Sequence, residues 1–537
     1  SINLFLTKIK KIQIQKHIFI ILQFIWLSMK KLNKSLCFLT VIIMLTVMVQ
    51  TVFHVFNLKK LGGEREEPKK PTFTFEAYLD GSLQKDIEQY SKENFGFYEW
   101  LIRVYNQYLW TCYHKTNNSN LVFGKDNWIF EEEVVREHYE SLMYKYANDS
   151  ADMMRKLDLE AKRLWKAQEI LKEYDKYIFV NMIPCKDIIF PEYLPENTYS
   201  RPEGIHAYEY YKMKFDELNI NYIDNVELMK AKKDIVDYPL FTSYCTHWTN
   251  IASVYQFDTI LRYMEALGNK NLNNIVIGEK YVDKTREPDN DLEKLMNLVF
   301  PLKSEPNYYV DVTTENDSTA IKPYFIVVGD SYFWNIIYNI PLNEIFCETP
   351  YWYYYNTVYN QPPVVPTTQK NLTNEISSST YIMLNYCTTK IYELGNYFIS
   401  KLLVSLCYND EQVNKVVEDI SKVIKNNQNW LEDVSRKAEE DNVTLEQAIE
   451  NDARYLIMIE PEKYFPELAG DDTPSVRNSD LKRASESTIF ERERKEYIDK
   501  INSDENWMND IKRKAEANNI SFEEQMEQDI IWMIENN

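Results

Sequence analysis

Apolar positions along this chain fall into three regimes. Residues 36–56 are almost wholly apolar, and a run of that length spans a bilayer as a helix. Residues 75–408 mix helical periodicity with short apolar runs of strand length. Beyond Tyr408 the chain turns polar and charged, with helical spacing throughout. In the middle regime, residues 80–107 carry Leu83, Ile87, Tyr90, Trp100, Leu101 and Val104 on helical faces. Residues 122–130 read as strand, turn and strand around Gly124-Lys125-Asp126-Asn127. An amphipathic helix over 151–174 leads into an apolar strand at 177–183, closed by Pro184. Helices near 205–217, 249–266 and after 332 then alternate with strands at 220–223, 324–328 and 381–385, and a last helix runs through Leu406. Such alternation predicts an α/β fold with a mainly parallel sheet covered on both faces, whose ligands sit at the carboxyl ends of the strands.

The flanks of the first regime set its orientation. Lys30, Lys31 and Lys34 precede the apolar run, which favours a cytoplasmic N-terminus and a translocated remainder. No small-residue cleavage site follows, so an uncleaved anchor is expected over 36–57. Before it lies a basic segment, 1–35. Met29-Lys30-Lys31 resembles a natural start, so residues 1–28 read as an upstream extension, with an interfacial apolar segment at 17–27 as the alternative. Glycine, charge and proline make 58–74 a juxtamembrane linker.

The third regime, 409–537, contains a repeat at an offset of 77 residues, with copies at about 426–460 and 503–537. Asn429-Trp430 matches Asn506-Trp507, Lys437-Ala438 matches Lys514-Ala515, and Asp452 matches Asp529. Thr444-Leu445-Glu446-Gln447 and Ser521-Phe522-Glu523-Glu524 are both capping boxes. Each copy is a helix–turn–helix whose apolar face needs a partner: the other copy, the main domain or a docked protein. Residues 469–483 form a polar spacer.

Charge and composition then exclude some functions. A net charge of −21 offers no basic stripe to replace counterions, so no nucleic-acid partner is expected. The seven cysteines lack CxxC pairs, so no structural zinc site is expected. Two short segments carry the candidate chemistry. Gly329-Asp330-Ser331 follows an apolar strand and opens a helix, where a serine hydroxyl sits beside backbone N–H groups able to hold an oxyanion. Cys245-Thr246-His247-Trp248 supplies one of only six histidines. A serine and a histidine so placed suggest acyl transfer on an ester.

Three pieces together resemble one family. They are Phe241-Thr242-Ser243-Tyr244-Cys245-Thr246-His247-Trp248-Thr249, Val328-Gly329-Asp330-Ser331-Tyr332, and Ile183-Pro184-Cys185-Lys186-Asp187 with the Ile188-Ile189-Phe190-Pro191-Glu192 that follows. Over roughly residues 75–405 the chain resembles the alginate O-acetyltransferase type of SGNH hydrolase-like protein. His247 precedes Ser331, an order shared with that permuted family rather than with ordinary SGNH esterases. The resemblance implies an α/β/α sandwich over 75–408, held outside the cytoplasmic membrane, that O-acetylates a polysaccharide. It makes Ser331 the nucleophile and His247 the general base. It also implies a membrane-embedded acetyl donor protein as partner, and no metal or soluble cofactor.

The family's orienting aspartate, two residues before the histidine, is here Cys245. A neutral thiol cannot stabilise an imidazolium, and loss of that carboxylate costs on the order of 10⁴ in rate in serine proteases. Three possibilities stand: a slow Ser–His dyad, a replacement such as Asp237, Asp224 or a backbone carbonyl, or a domain that only binds glycan. A carbohydrate acetyl esterase using the same residues is a further alternative. Lys186, Tyr332 and Trp334 are candidate sugar contacts, and the run Tyr351-Trp352-Tyr353-Tyr354-Tyr355 is either a glycan platform or buried packing. Arg103 reads as a structural ion-pair partner.

Overall fold

The structure is a computed structural model describing residues 34–63, 70–139, 150–196, 205–303, 307–474 and most of 494–536. The expectations for residues 1–28 and for most of the 469–483 spacer fall outside the described residues. Two compact units form: residues 1–119 with 293–303, and residues 120–292 with 304–537.

In the first unit, α1 (Lys34–Phe53) has a mean hydropathy of 2.4 and is long and apolar enough to cross a membrane. The helical pattern over 80–107 is broken into α2 (Phe75–Asp80), α3 (Ser82–Glu93) and α4 (Tyr98–Tyr113). The first break is Gly81 at φ 83, a left-handed position that glycine adopts without strain. Among the described residues Arg103 makes no ion pair of the expected kind. Its guanidinium donates to the carbonyls of Lys60 at 2.8 Å and Leu298 at 3.3 Å, and the Asn106 amide donates to the Met296 carbonyl. Residues 75–119, expected within one 75–408 domain, thus cluster with this unit.

The second unit opens with a hairpin of β1 (Leu121–Phe123) and β2 (Ile129–Glu131), followed by α5 (Glu132–Tyr139). Next come α6 (Ser150–Lys172), β3 (Tyr177–Ile183), α7 (Lys186–Ile189), α8 (Ala207–Leu218), β4 (Tyr222–Asp224), α9 (Asn225–Lys232) and α10 (Asn250–Gly268). Two antiparallel ribbons join β5 (Ile275–Ile277) to β8 (Val312–Thr314) and β6 (Tyr281–Asp283) to β7 (Asn307–Tyr309). The chain returns to the centre through β9 (Phe325–Gly329), α11 (Phe333–Asn339), β10 (Tyr351–Tyr353), β11 (Thr357–Tyr359), β12 (Val365–Pro366), β13 (Tyr381–Cys387) and α12 (Phe398–Cys407).

One seven-stranded sheet runs β12-β11-β10-β9-β13-β3-β4. The five strands from β10 to β4 are parallel, and β11 and β12 continue antiparallel at one edge. β13 is the middle of the five parallel strands, with β3 beside it, and both are buried on both faces, which is why they read as apolar runs interrupted only by Asn181 and Asn385. Ile178, Val180 and Met182 of β3 pack with α6, α8 and α12 on one face, while Phe179 and Ile183 pack with α10 and α11 on the other. Each such fully buried side chain contributes about 1.5–3 kcal/mol. The result is an α/β/α sandwich, the fold class expected for an SGNH-like protein.

The aromatic run at 351–355 is mostly core. Tyr351 and Trp352 lie in β10 and are essentially fully buried, so this run is packing rather than a glycan platform. Alternation along the strand sends Tyr351 and Tyr353 to one face and Trp352 to the other, and both faces are covered, with Tyr353 half-exposed at the end of the strand.

The C-terminal helices are α13 (Asp410–Asn426), α14 (Gln428–Glu440), α15 (Leu445–Ile459), α16 (Glu505–Asn518) and α17 (Phe522–Asn536). Both capping boxes form: Gln447 N–H donates to the Thr444 hydroxyl and Glu524 N–H to the Ser521 hydroxyl, each reciprocated. The repeat also preserves an ion pair between its two helices, Lys437 to Asp452 and Lys514 to Asp529. The first copy joins the main core through Val434, Ile449 and Ile457. Beside it, Arg163 of α6 binds both carboxylate oxygens of Glu462 at 2.7 Å. The second copy has its own small core of Ile501, Ile511 and Ile530.

Candidate active site

The site forms where β9 ends. Gly329 is required there by close approach, because a Cβ would lie 2.3 Å from the Asn385 carbonyl oxygen on β13. Asp330 follows, fully buried, and its carboxylate accepts N–H bonds from Cys387 at 2.6 Å and Tyr332 at 3.1 Å. Burial raises its pKa, and those bonds oppose the rise. Asp330 therefore locks the turn, and Ser331 projects from it just ahead of α11.

His247 arrives on the loop before α10, whose start is capped by the Thr249 hydroxyl accepting from Ala252 N–H. Its Nε2 lies 2.7 Å from Ser331 Oγ. Its Nδ1 lies 2.7 Å from Asp291 Oδ2. Asp291 is itself oriented, because Oδ1 accepts from the backbone N–H groups of Thr246 at 2.8 Å and Leu292 at 2.7 Å. Burial opposes the charged imidazolium, but the hydrogen bond and charge of Asp291, with Glu131 and Asp330 behind it, leave the His247 pKa raised above 6.5. Glu131 accepts from the Thr246 hydroxyl, and burial raises its own pKa.

Tyr332 is buried beneath the imidazole. Its ring meets His247 edge-on at 4.8 Å, its hydroxyl donates to the Thr246 carbonyl, and its carbonyl accepts from Trp248 Nε1. It is a wall of the site and presents no free hydroxyl to a sugar. Trp334 packs among Tyr338, Tyr351, Tyr353 and Tyr359 and keeps part of its surface exposed.

Three expectations need correction. Cys245 does not orient the histidine. It is buried, its sulfur donates to the His247 carbonyl and accepts from Thr242 N–H, and burial pushes its thiol up to about 12. Neither Asp237 nor Asp224 replaces it, since the first pairs with Lys280 and the second with Lys212 and Tyr208. Lys186 does not face a crevice. Its buried ammonium donates to the carbonyls of Ile129, Thr242, Ser243 and Cys245 at 2.5–3.1 Å. Burial pulls its pKa down to about 8. It ties the β1–β2 hairpin and the His247 loop to the end of β3.

Asp291 is the residue that sequence reasoning missed. It lies 44 positions after the histidine, among other acidic residues, and no local spacing marks it. Among the described residues, one group of side chains has the donor types of a metal site: His138, Cys185 and Asp187.

The fold and site define a class: an α/β/α sandwich carrying a serine, a histidine and an aspartate in hydrogen-bonded sequence at the carboxyl end of a central strand. No family model and no curated protein matches the sequence. Among solved structures, the chain is similar to the O-acetyltransferase domain of Pseudomonas putida AlgJ, at 13% identity and a TM-score of 0.36, covering 53% of this chain and 99% of that one. It is also similar to Pseudomonas aeruginosa AlgX at 12% identity and a TM-score of 0.28, covering 50% of this chain and 55% of that one. Bacillus cereus PatB1 with a sulfonyl adduct matches at 11% identity and a TM-score of 0.31, covering 51% of this chain and 97% of that one.

Proposed function

We propose that this chain is a membrane-anchored, extracytoplasmic O-acetyltransferase that modifies polysaccharide hydroxyls through an acyl-serine. One observation carries the proposal: the unbroken hydrogen-bonded series Ser331–His247–Asp291. Serine is a weak nucleophile until a base removes its proton, and a carboxylate behind the base holds the tautomer that can do so.

In the first half-reaction, Ser331 Oγ attacks the donor's acetyl carbon while His247 Nε2 takes the hydroxyl proton. Asp291 stabilises the imidazolium. The Ser331 backbone N–H, which has no acceptor among the described residues, is available to the oxyanion. Collapse expels the donor group, which takes the proton from His247. In the second half, a sugar hydroxyl gives its proton to His247 and attacks the acetyl-serine. Ser331 leaves and is reprotonated. With water as acceptor the same steps are ester hydrolysis. The apolar helix α1 supports an anchor, and the motif resemblance supports the polysaccharide acceptor and a membrane-embedded acetyl donor protein.

The test is p-nitrophenyl acetate turnover by the full chain in detergent, against Ser331→Ala and His247→Ala, followed by acceptor competition with oligosaccharides. Release of p-nitrophenol lost in both variants, with acetyl appearing on sugar, supports transfer. Release with acetate as the sole product favours the esterase. Absence of an acetyl-serine adduct in the wild-type protein, with turnover equal to the variants, sinks the catalytic proposal.

A further inference from the structure

A second polar cluster lies apart from the Ser331 series. His138 comes from the last turn of α5, while Cys185 and Asp187 come from the end of β3 and the start of α7. Lys186 lies between the latter two and grips the Ile129 carbonyl just upstream of α5, which fixes the two segments against each other. One donor atom from each of the three side chains lies within 4.8 Å of the others. All three residues are buried, at 6%, 1% and 0% exposure.

The hydrogen bonding of the cluster is incomplete in an informative way. Asp187 Oδ2 lies 2.5 Å from His138 Nδ1. Among the described residues, Asp187 Oδ1 has no hydrogen-bond partner although it is shielded from solvent. An orphaned carboxylate oxygen in the interior is costly unless a cation or donor covers it. The other ring nitrogen of His138 lies 2.9 Å from the Thr388 hydroxyl. With the hydroxyl accepting Nε2–H, the short contact to Asp187 holds one shared proton, and removal of that proton leaves the Nδ1 lone pair for a metal, with the outer contact that a metal-binding histidine uses. A cavity of about 220 Å³ lies beside the group, lined by His138, Asp187, His206 and Glu209 among others. It has room for a further ligand such as water.

We propose that His138, Cys185 and Asp187 bind one divalent transition-metal ion of the zinc type, with an open position toward this cavity. The nitrogen, sulfur and oxygen donor set suits zinc or cobalt and excludes magnesium and calcium, which take oxygen ligands. Thiolate and carboxylate together neutralise the ion's two charges. Binding replaces the proton between His138 and Asp187 and the thiol proton of Cys185, and both are released to solvent. Metal–ligand bonds of about 2.0–2.3 Å require that the His138–Asp187 pair open on binding. The ion would then clamp α5 to the end of β3.

The experiment uses the full chain in detergent, expressed with zinc and desalted. Metal content is measured by mass spectrometry, and stripped protein is then titrated with cobalt(II). About one equivalent of zinc is expected, with a cobalt–thiolate charge-transfer band. Cys185→Ser should lose that band, while Cys112→Ser and Cys347→Ser, at exposed cysteines, should keep it. Thr388→Val should weaken cobalt binding about 10–100-fold through loss of the outer contact. Folded wild-type protein that holds under about a tenth of an equivalent and gives no cobalt band overturns the proposal. So does a band that survives in Cys185→Ser and disappears in one of the other two variants.

Discussion

Asp291→Asn separates the role of the carboxylate from its shape. Asp291 Oδ1 accepts from the N–H groups of Thr246 and Leu292, so the oxygen of an asparagine must stay on that side. Turning the amide over would break both bonds, at about 1–3 kcal/mol for each N–H left unpaired. The NH₂ group therefore faces His247 Nδ1, 2.7 Å away in the native geometry. A donor there forces the ring proton onto Nε2, which then points at Ser331 Oγ and cannot accept its proton. The same substitution in serine proteases costs about 10⁴ in rate. Asp291 is partly solvated, with its side chain 23% exposed, so a loss of about 10³–10⁴ is expected, or about 4–5.5 kcal/mol of barrier. The assay is single-turnover acylation by p-nitrophenyl acetate, with circular dichroism and melting as controls for fold. A folded variant that acylates within tenfold of wild type would refute the tautomer argument and return the mechanism to a dyad.

The acylation rate should rise with pH as His247 loses its proton, with a midpoint above 6.5; Asp291→Asn should shift that midpoint down, and a pH–rate profile with its midpoint below 6.5 would contradict the charge environment described. Lys186→Met removes a donor that four backbone carbonyls share and loosens the loop that carries His247, so the melting temperature and the acylation rate should fall together; an unchanged rate would show that the loop is held by other contacts. Gly329→Ala places a methyl 2.3 Å from a backbone oxygen that has no freedom to retreat, and chemical denaturation should show a loss of about 1–3 kcal/mol or more; a stability equal to wild type would mean that β9 and β13 are not so closely paired.

Local patterning was enough for much of the architecture. The buried strands β3, β9 and β13 are visible as apolar runs because both faces of a central parallel strand are covered. The apolar stretch of α1 and the repeated capping boxes of α15 and α17 are equally visible, since bilayer length and N-terminal N–H capping act within a few residues. Ser331 and His247 were singled out from their short motifs and the order in which these occur, and the fold brings their side chains to 2.7 Å. The edge made by β10, β11 and β12 was not legible, because the aromatic run that contains β10 resembles an exposed patch although Tyr351 and Trp352 are buried on opposite faces of the sheet.

What tertiary structure alone decided is which distant groups meet. Asp291, rather than Cys245, stands behind His247, because the Thr246 and Leu292 N–H groups converge on one carboxylate oxygen. Lys186 became a buried clamp on four carbonyls instead of a sugar ligand, because the hairpin and the His247 loop close over it. His138 met Asp187 and Thr388 across three separate segments. Sequence records the propensity of a residue and its near neighbours; the pairing of charges across long loops is fixed only when the sheet brings their backbones together.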